Sequence, residues 1–161
     1  MHNKMHQDEE TFVSISPDKP RSARVVRAEV TEAPISVTEL AGAVQDAAAG
    51  AVVTFEGVVR NHDAERAVTG IGYSCHPTAG QIVKEIARDV AERGRVRALG
   101  VVHRVGDLAV GEAALAVAVS SDHRAEAFAT CGEIVEEVKK RLPVWKRQTF
   151  SDGTSQWSNL A

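Results

Sequence analysis

The chain has 161 residues, with 22 acidic and 19 basic side chains and a formal net charge of −3, which is enough for one domain with a real core but gives no field that would gather nucleic acid or an anionic membrane. Apolar residues make up 43% and aromatics only 4%, so small and β-branched side chains must build that core, and no run approaches the roughly 18 apolar residues of a membrane span. No apolar segment follows the basic N-terminal residues as in an export signal, and Cys75 and Cys131 lack the CxxC spacing of a zinc ribbon; the expectation is a cytoplasmic protein in which any anion site is local.

Residues 1–24 mix His, Asp, Glu, Lys, Ser and two prolines without helical or strand period and read as a disordered arm; residues 25–161 read as the domain. His2 and His6 have no third ligand nearby for a tetrahedral metal site. A β-rich run, Ala23 to Val30, opens the ordered part. Ser36 and Glu39 have capping-box spacing ahead of a helix with Leu40, Val44 and Ala47 on one face and Gly50 as its stop. AVVTFEGVVR alternates as a strand, with Val53, Phe55 and Val59 on one side. Another strand spans Val68 to His76, where Gly70 and Gly72 mark a bulge or close backbone approach. The spacing of Ile82, Ile86 and Val90 predicts a helix from Thr78 to Arg93, stopped by Gly94.

VRALGVVHRVG and EAALAVAVSSD are dense enough in apolar residues to be strands buried on both faces. A helix then runs from an Asp122 N-cap to Leu142, with Phe128, Cys131, Val135, Val138 and Leu142 as its stripe, and Pro143 forbids its continuation. VWKRQTF is a strand turned back at Asp152-Gly153. Interleaved helices and hairpins point to an α+β fold with antiparallel sheets and three main helices.

Three cationic spots stand out. His123 and Arg124 fall in a first helical turn, where acids are usual, and an anion at the helix N-terminus would relieve that conflict; solvated side chains are the plain alternative. Arg60 closes an apolar strand, as solvated arginines also do. In KKRLPVWKRQ, five of ten residues are cationic. Lys140 needs no explanation beyond the helix dipole. Lys139 flanks the buried stripe at the helix end, and Lys146 lies across the Pro143 corner on a strand; two amines brought together and partly desolvated can hold or pass a proton near neutrality. Trp145 is expected to pack that corner.

GAVVTFEGVVRNHD, VVHRVGDLAVGE, SSDHRAEAF and KKRLPVWKRQ, in this order, resemble the large, catalytic subunits of molybdopterin synthases, the MoaE family, over about Ala51 to Trp157. The resemblance implies an α/β-hammerhead type of fold and a homodimer within a heterotetramer with two copies of a small ubiquitin-like sulfur carrier. It implies that the carrier's C-terminal Gly-Gly thiocarboxylate gives sulfur to cyclic pyranopterin monophosphate, forming the dithiolene of molybdopterin, with no cofactor of its own. Lys139 and Lys146 fall on the family's catalytic positions, and Val58, Val59, Arg60, His123, Arg124, Arg147 and Gln148 on its substrate-binding positions. Gln148 stands where the family commonly has Glu, and Ser74 and His76 replace an acid and a tyrosine.

Two readings of other classes compete. An RNA-binding module would use the same cations but needs exposed aromatics among them, and the few aromatics here fall mostly at core-like positions. A thiol enzyme would need a reactive cysteine; Cys131 lies in an apolar stripe, and Cys75 beside His76 has no second thiol.

Overall fold

The computed structural model describes residues 22–93 and 95–160. The histidines His2 and His6, the arm up to residue 21 and Gly94 as a helix stop lie outside the described residues. Ala23, placed in the arm by its sequence, is buried, and its N–H donates to the Ala91 carbonyl at 2.9 Å.

Nine strands and three helices are described, in the order β1 (Arg24–Thr31), α1 (Val37–Ala43), β2 (Ala51–Val58), β3 (His62–Asp63), β4 (Arg66–Cys75), α2 (Ala79–Glu92), β5 (Ala98–Arg104), β6 (Gly106–Ala109), β7 (Ala113–Ser121), α3 (Arg124–Arg141), β8 (Val144–Phe150) and β9 (Ser155–Asn159). They form two sheets in an α+β fold. The first has the order β1-β5-β7-β2; the second has the order β3-β4-β8-β9, with β6 also paired to β4. All pairs are antiparallel except β1 with β5, a parallel pair the hairpin pattern did not announce. The short β6, also unforeseen, pairs Asp107 with Gly72 and Leu108 with Ile71.

The first sheet is covered on both faces, and its sequence shows why. Along β5 and β7, Leu99, Val101, Leu115, Val117 and Val119 face α2 and α3, whereas Ala98, Val102, Ala116 and Ala118 pack with Leu40 and Val44 of the α1 segment. Alternation by two thus sorts the larger residues to the two-helix side and mostly small ones to the side of the short helix. Gly100 lets that helix sit close: a Cβ there would meet Leu40 Cδ1 at 2.6 Å. Val59, Leu108 and Ala114 form a smaller cluster that joins the two sheets, with Ile71 and Tyr73 packed against it.

Several expectations need correction. The first helix ends at Ala43, not at Gly50; Ser36 Oγ does accept the Glu39 N–H at 3.2 Å, but Val44 is the C-cap and Ala47 is exposed. Beyond that end, Asp46 Oδ1 accepts the Ala48 N–H in a separate turn, a local bond that competes with continued helix. Phe128 is 64% exposed, because the inward stripe of α3 runs through Ala127, Thr130, Cys131, Ile134, Val135 and Val138, one residue out of phase with it. Trp145, expected to pack the Pro143 corner, and Trp157 also keep 41% and 59% of their surface, so the aromatics are less internal than the core-like positions read for them. The bulge read at Gly70 is present, as a register shift between Val68 and Gly70.

Gly50 precedes β2, and a Cβ added there would stand 2.7 Å from the Asp122 carbonyl oxygen, a backbone atom that cannot swing away. Gly42, inside α1, has open space. Gly50→Ala is expected to lose about 1–3 kcal/mol of unfolding free energy, while Gly42→Ala is neutral or gains up to about 1 kcal/mol; urea titration of the two variants checks the contrast.

Candidate functional site

The chain turns from α3 into β8 through only Leu142 and Pro143. Leu142 is already extended (φ −73°, ψ 119°), its N–H still donating to the Val138 carbonyl. The Pro143 carbonyl accepts the His76 N–H at 3.0 Å, pinning the corner to the end of β4. From there β8 runs antiparallel to β4, with Lys146 opposite Tyr73 and Gln148 opposite Ile71. Residues two apart share a face of a strand, so Lys146 and Gln148 project together, next to Tyr73 and Ile71.

These side chains, with Lys139 from the last turn of α3, line a cavity of about 270 Å³. Its floor is apolar, from Phe55, Val58, Val68, Leu115 and Val138, and its polar groups are Arg60, His62, Tyr73, His103, Lys139, Lys146 and Gln148. Leu160, just past β9, enters it too, and Lys139 Nζ lies 3.5 Å from the Leu160 carbonyl oxygen. Among the described residues neither Lys139 nor Lys146 has a carboxylate at salt-bridge distance; Arg60, mostly exposed, is 3.5 Å from Asp63. The cavity therefore carries an excess of positive charge inside a chain of net charge −3.

Of the residues singled out in the sequence, Val58, Arg60, Lys139, Lys146 and Gln148 come together here. Val59 is buried in the cluster between the sheets, and its N–H and carbonyl are taken by Glu112 and Gly111. Arg147 points to the other face of β8, where its Nε donates to Ser155 Oγ at 3.1 Å. Trp145 is not on the cavity wall, and Lys140 is exposed away from it.

His123 and Arg124 lie elsewhere. They begin α3, and Lys139 ends it, so fifteen helical residues, about 22 Å at 1.5 Å each, separate Arg124 from Lys139. Asp122 is not the N-cap: its carboxylate receives Arg97 through Nε at 2.5 Å and Nη2 at 3.0 Å, which holds its pKa below the ordinary value. The cap position falls to His123, whose side chain makes no capping bond. Both His123 and Arg124 are exposed.

His103, Tyr73 and His62 were not foreseen. His103 is 2% exposed, and its Nδ1 is 2.7 Å from the Arg104 carbonyl oxygen. Burial, with a smaller contribution from Lys139, pushes its pKa down to about 4 against the one hydrogen bond that raises it. Tyr73 meets the ring edge-on, with centroids 5.3 Å apart at 74°, and burial pushes its phenol up. The signal was the period of β5: His103 follows Leu99 and Val101 by twos on the face toward α3. Arg104 and the rest of HRVGDLAVGE serve the fold: Arg104 is ion-paired with Glu112 and reaches the Glu32 carbonyl at 3.2 Å, while Gly106 and Gly111 take φ of 96° and 89°. Cys131 is buried with its thiol pushed up to about 11, and Cys75 is an exposed free cysteine away from the cavity wall.

Residues 30–141 match the model of the MoaE protein family. The chain is similar to the molybdopterin synthase catalytic subunit of Nostoc sp., at 35% identity over 133 residues covering 81% of each chain. It is also similar to that of Bacillus subtilis, at 33% identity over 81% of this chain and 83% of the relative. Its fold is similar to the crystal structure of molybdopterin synthase from Staphylococcus aureus, with a TM-score of 0.76 and 28% identity, covering 82% of this chain and 96% of that one.

A buried imidazole with a lowered pKa makes stability depend on pH. Between about 6.5 and 4 the unfolded chain binds a proton that folded His103 refuses, so its contribution is complete above pH 6.5 and is lost as pH falls toward 4. The expected loss is about 3 kcal/mol. Urea unfolding of the wild type and of His103→Phe at pH 7.5 and pH 4.5 checks it: the variant should show a shallower fall by an amount of that order.

Proposed function

The chain belongs to the MoaE protein family, and from that premise we propose that it is the catalytic subunit of a molybdopterin synthase, acting in molybdenum cofactor biosynthesis. In this reading it transfers sulfur from the C-terminal thiocarboxylate of a small ubiquitin-like carrier to cyclic pyranopterin monophosphate. The observation that carries the reading is the Pro143 corner, which sets Lys139 and Lys146 on one cavity with Arg60 and, among the described residues, no carboxylate at salt-bridge distance from either amine.

The chemistry suits that charge. A thiocarboxylate and a cyclic phosphate are both anions, and charge-assisted hydrogen bonds to ammonium and guanidinium groups are the strong kind. As the pterin carbon attacked by sulfur develops an oxyanion or loses an oxygen, a lysine ammonium beside it stabilises the charge and can supply a proton. Lys139 and Lys146 take that role; Arg60, Val58 and Gln148 bind substrate around them. The position of Leu160 is in keeping with insertion of a tail, since a residue past β9 already lines the cavity with its backbone carbonyl 3.5 Å from Lys139 Nζ. A Gly-Gly end, without side chains, would pass the apolar walls with less obstruction than any other pair.

His123 and Arg124 are part of the proposal only through a second copy of the chain. At about 22 Å from Lys139 along a rigid helix they cannot reach the same substrate, whereas in a homodimer they can reach the partner copy's cavity. Arg147, facing away from the cavity, and Val59, in the core, support substrate binding indirectly at most, through the backbone they share with Lys146 and Val58. Among the described residues no helix is long and apolar enough to cross a membrane; we place the reaction in the cytoplasm.

Wild-type protein supplied with thiocarboxylated carrier and cyclic pyranopterin monophosphate should form molybdopterin. Lys139→Ala should fold but lose at least about a hundredfold in turnover, the usual scale of a lost proton or charge stabiliser, with Lys140→Ala near wild type. Mixing inactive Lys139→Ala and Arg124→Ala chains, unfolded and refolded together, should restore part of the activity; no restoration would confine each cavity to its own chain.

A further inference from the structure

Apart from the exposed His62, the polar residues of the cavity divide by charge. Arg60, Lys139 and Lys146 are cations, whereas His103, Tyr73 and Gln148 are neutral and sit deeper: His103 and Gln148 are 2% and 8% exposed. Two atoms of the neutral group have unused capacity as acceptors. At 2.7 Å from the Arg104 carbonyl, Nδ1 of His103 must carry the ring proton, which leaves Nε2 as an acceptor. The same burial that keeps this ring from taking a second proton fixes it in that state at neutral pH. Tyr73 meets the ring edge-on and limits its rotation.

Gln148 adds a second acceptor. Its Oε1 is buried with no hydrogen-bond partner, and such a carbonyl costs about 1–3 kcal/mol until something donates to it. Lys146, on the same strand face, does not donate to it; nor does any other described side chain. Two acceptors without donors, on the wall of a cavity that also carries the cations Arg60, Lys139 and Lys146, fit a ligand that is anionic at one end and rich in N–H groups at the other.

We propose that His103 and Gln148, braced by Tyr73, form an uncharged acceptor wall that takes the N–H groups of a nitrogen heterocycle while Arg60, Lys139 and Lys146 take the anionic end of the same molecule. The inference rests on the substrate reading above and assigns the part of that substrate each group selects. His103 is a binding and specificity residue in this scheme, not a base, since it holds an acceptor nitrogen in place and moves no proton.

The test is anaerobic calorimetry on the full chain with two probes, cyclic pyranopterin monophosphate and inorganic phosphate, for wild type, His103→Phe, His103→Gln and Gln148→Leu. His103→Phe keeps the ring's bulk and loses the acceptor; it should bind the pterin about tenfold more weakly, the value of one lost hydrogen bond, with phosphate affinity unchanged. His103→Gln, with an amide oxygen in reach, should recover part of the loss, and Gln148→Leu should weaken pterin binding separately. Where His103→Phe lacks a cooperative melt, Gln148→Leu carries the comparison alone. Variants that bind the pterin as wild type does, or that lose phosphate and pterin in equal proportion, overturn the wall. A wild type that binds phosphate but not the pterin overturns the substrate reading and the wall with it.

Discussion

Two residues, Leu142 and Pro143, carry the chain from the end of α3 to the start of β8, and the site depends on that corner. A proline without an N–H cannot extend the helix, and it pushes the residue before it to extended backbone; Leu142 has that conformation. The consequence is that side chains from a helix end and a strand start, Lys139 and Lys146, seven residues apart in sequence, face the same space. Lys139 arrives from the helix, where its charge agrees with the dipole, and Lys146 from the strand, with its direction fixed by the pairing with Tyr73. A corner braced by the Pro143 carbonyl and His76 N–H bond holds both amines without needing an acid between them.

Everything else in the fold can be read as support for that placement. The first sheet, buried on both faces, gives α3 a rigid bed of Leu115, Val117 and Val119; the small residues on its reverse face let α1 close over it. The cluster of Val59, Leu108 and Ala114 locks the second sheet to the first, so that β4 and β8 meet α3 at a fixed distance. Cationic groups occupy the open side of the resulting cavity and neutral acceptors its inner wall. That order is the cheaper one physically, because the deeper position penalises charge more severely.

Much of this was legible in the sequence, and the parts that were not have physical reasons. Strict alternation in AVVTFEGVVR and unbroken apolar runs in the two central strands announced a sheet covered on both faces. Pro143 announced the corner. His123 and Arg124 were legible as an unusual helix start, but periodicity along a chain says nothing of which end of an 18-residue helix a cavity occupies, so their separation from Lys139 appeared only in three dimensions. Asp122 looked like an N-cap because Asp favours that position; Arg97, 25 residues earlier, competes for the same carboxylate, a contact no local pattern encodes. The stripe read for α3 holds at Cys131, Val135, Val138 and Leu142, which are buried, and fails only at Phe128, where small Ala127 faces inward in place of the most hydrophobic side chain of that turn. His103 was passed over within a fold motif whose Arg, Glu and glycines are structural, although its own side chain faces the cavity.

The central claim is that this cavity acts on sulfur brought by another protein's C-terminus, and product formation as a function of the donor tests it most directly. With cyclic pyranopterin monophosphate in excess, the account predicts molybdopterin when a thiocarboxylated carrier is added, and none when the carrier lacks its last two glycines or when free sulfide replaces it. Product formed from sulfide as fast as from the intact carrier would contradict it.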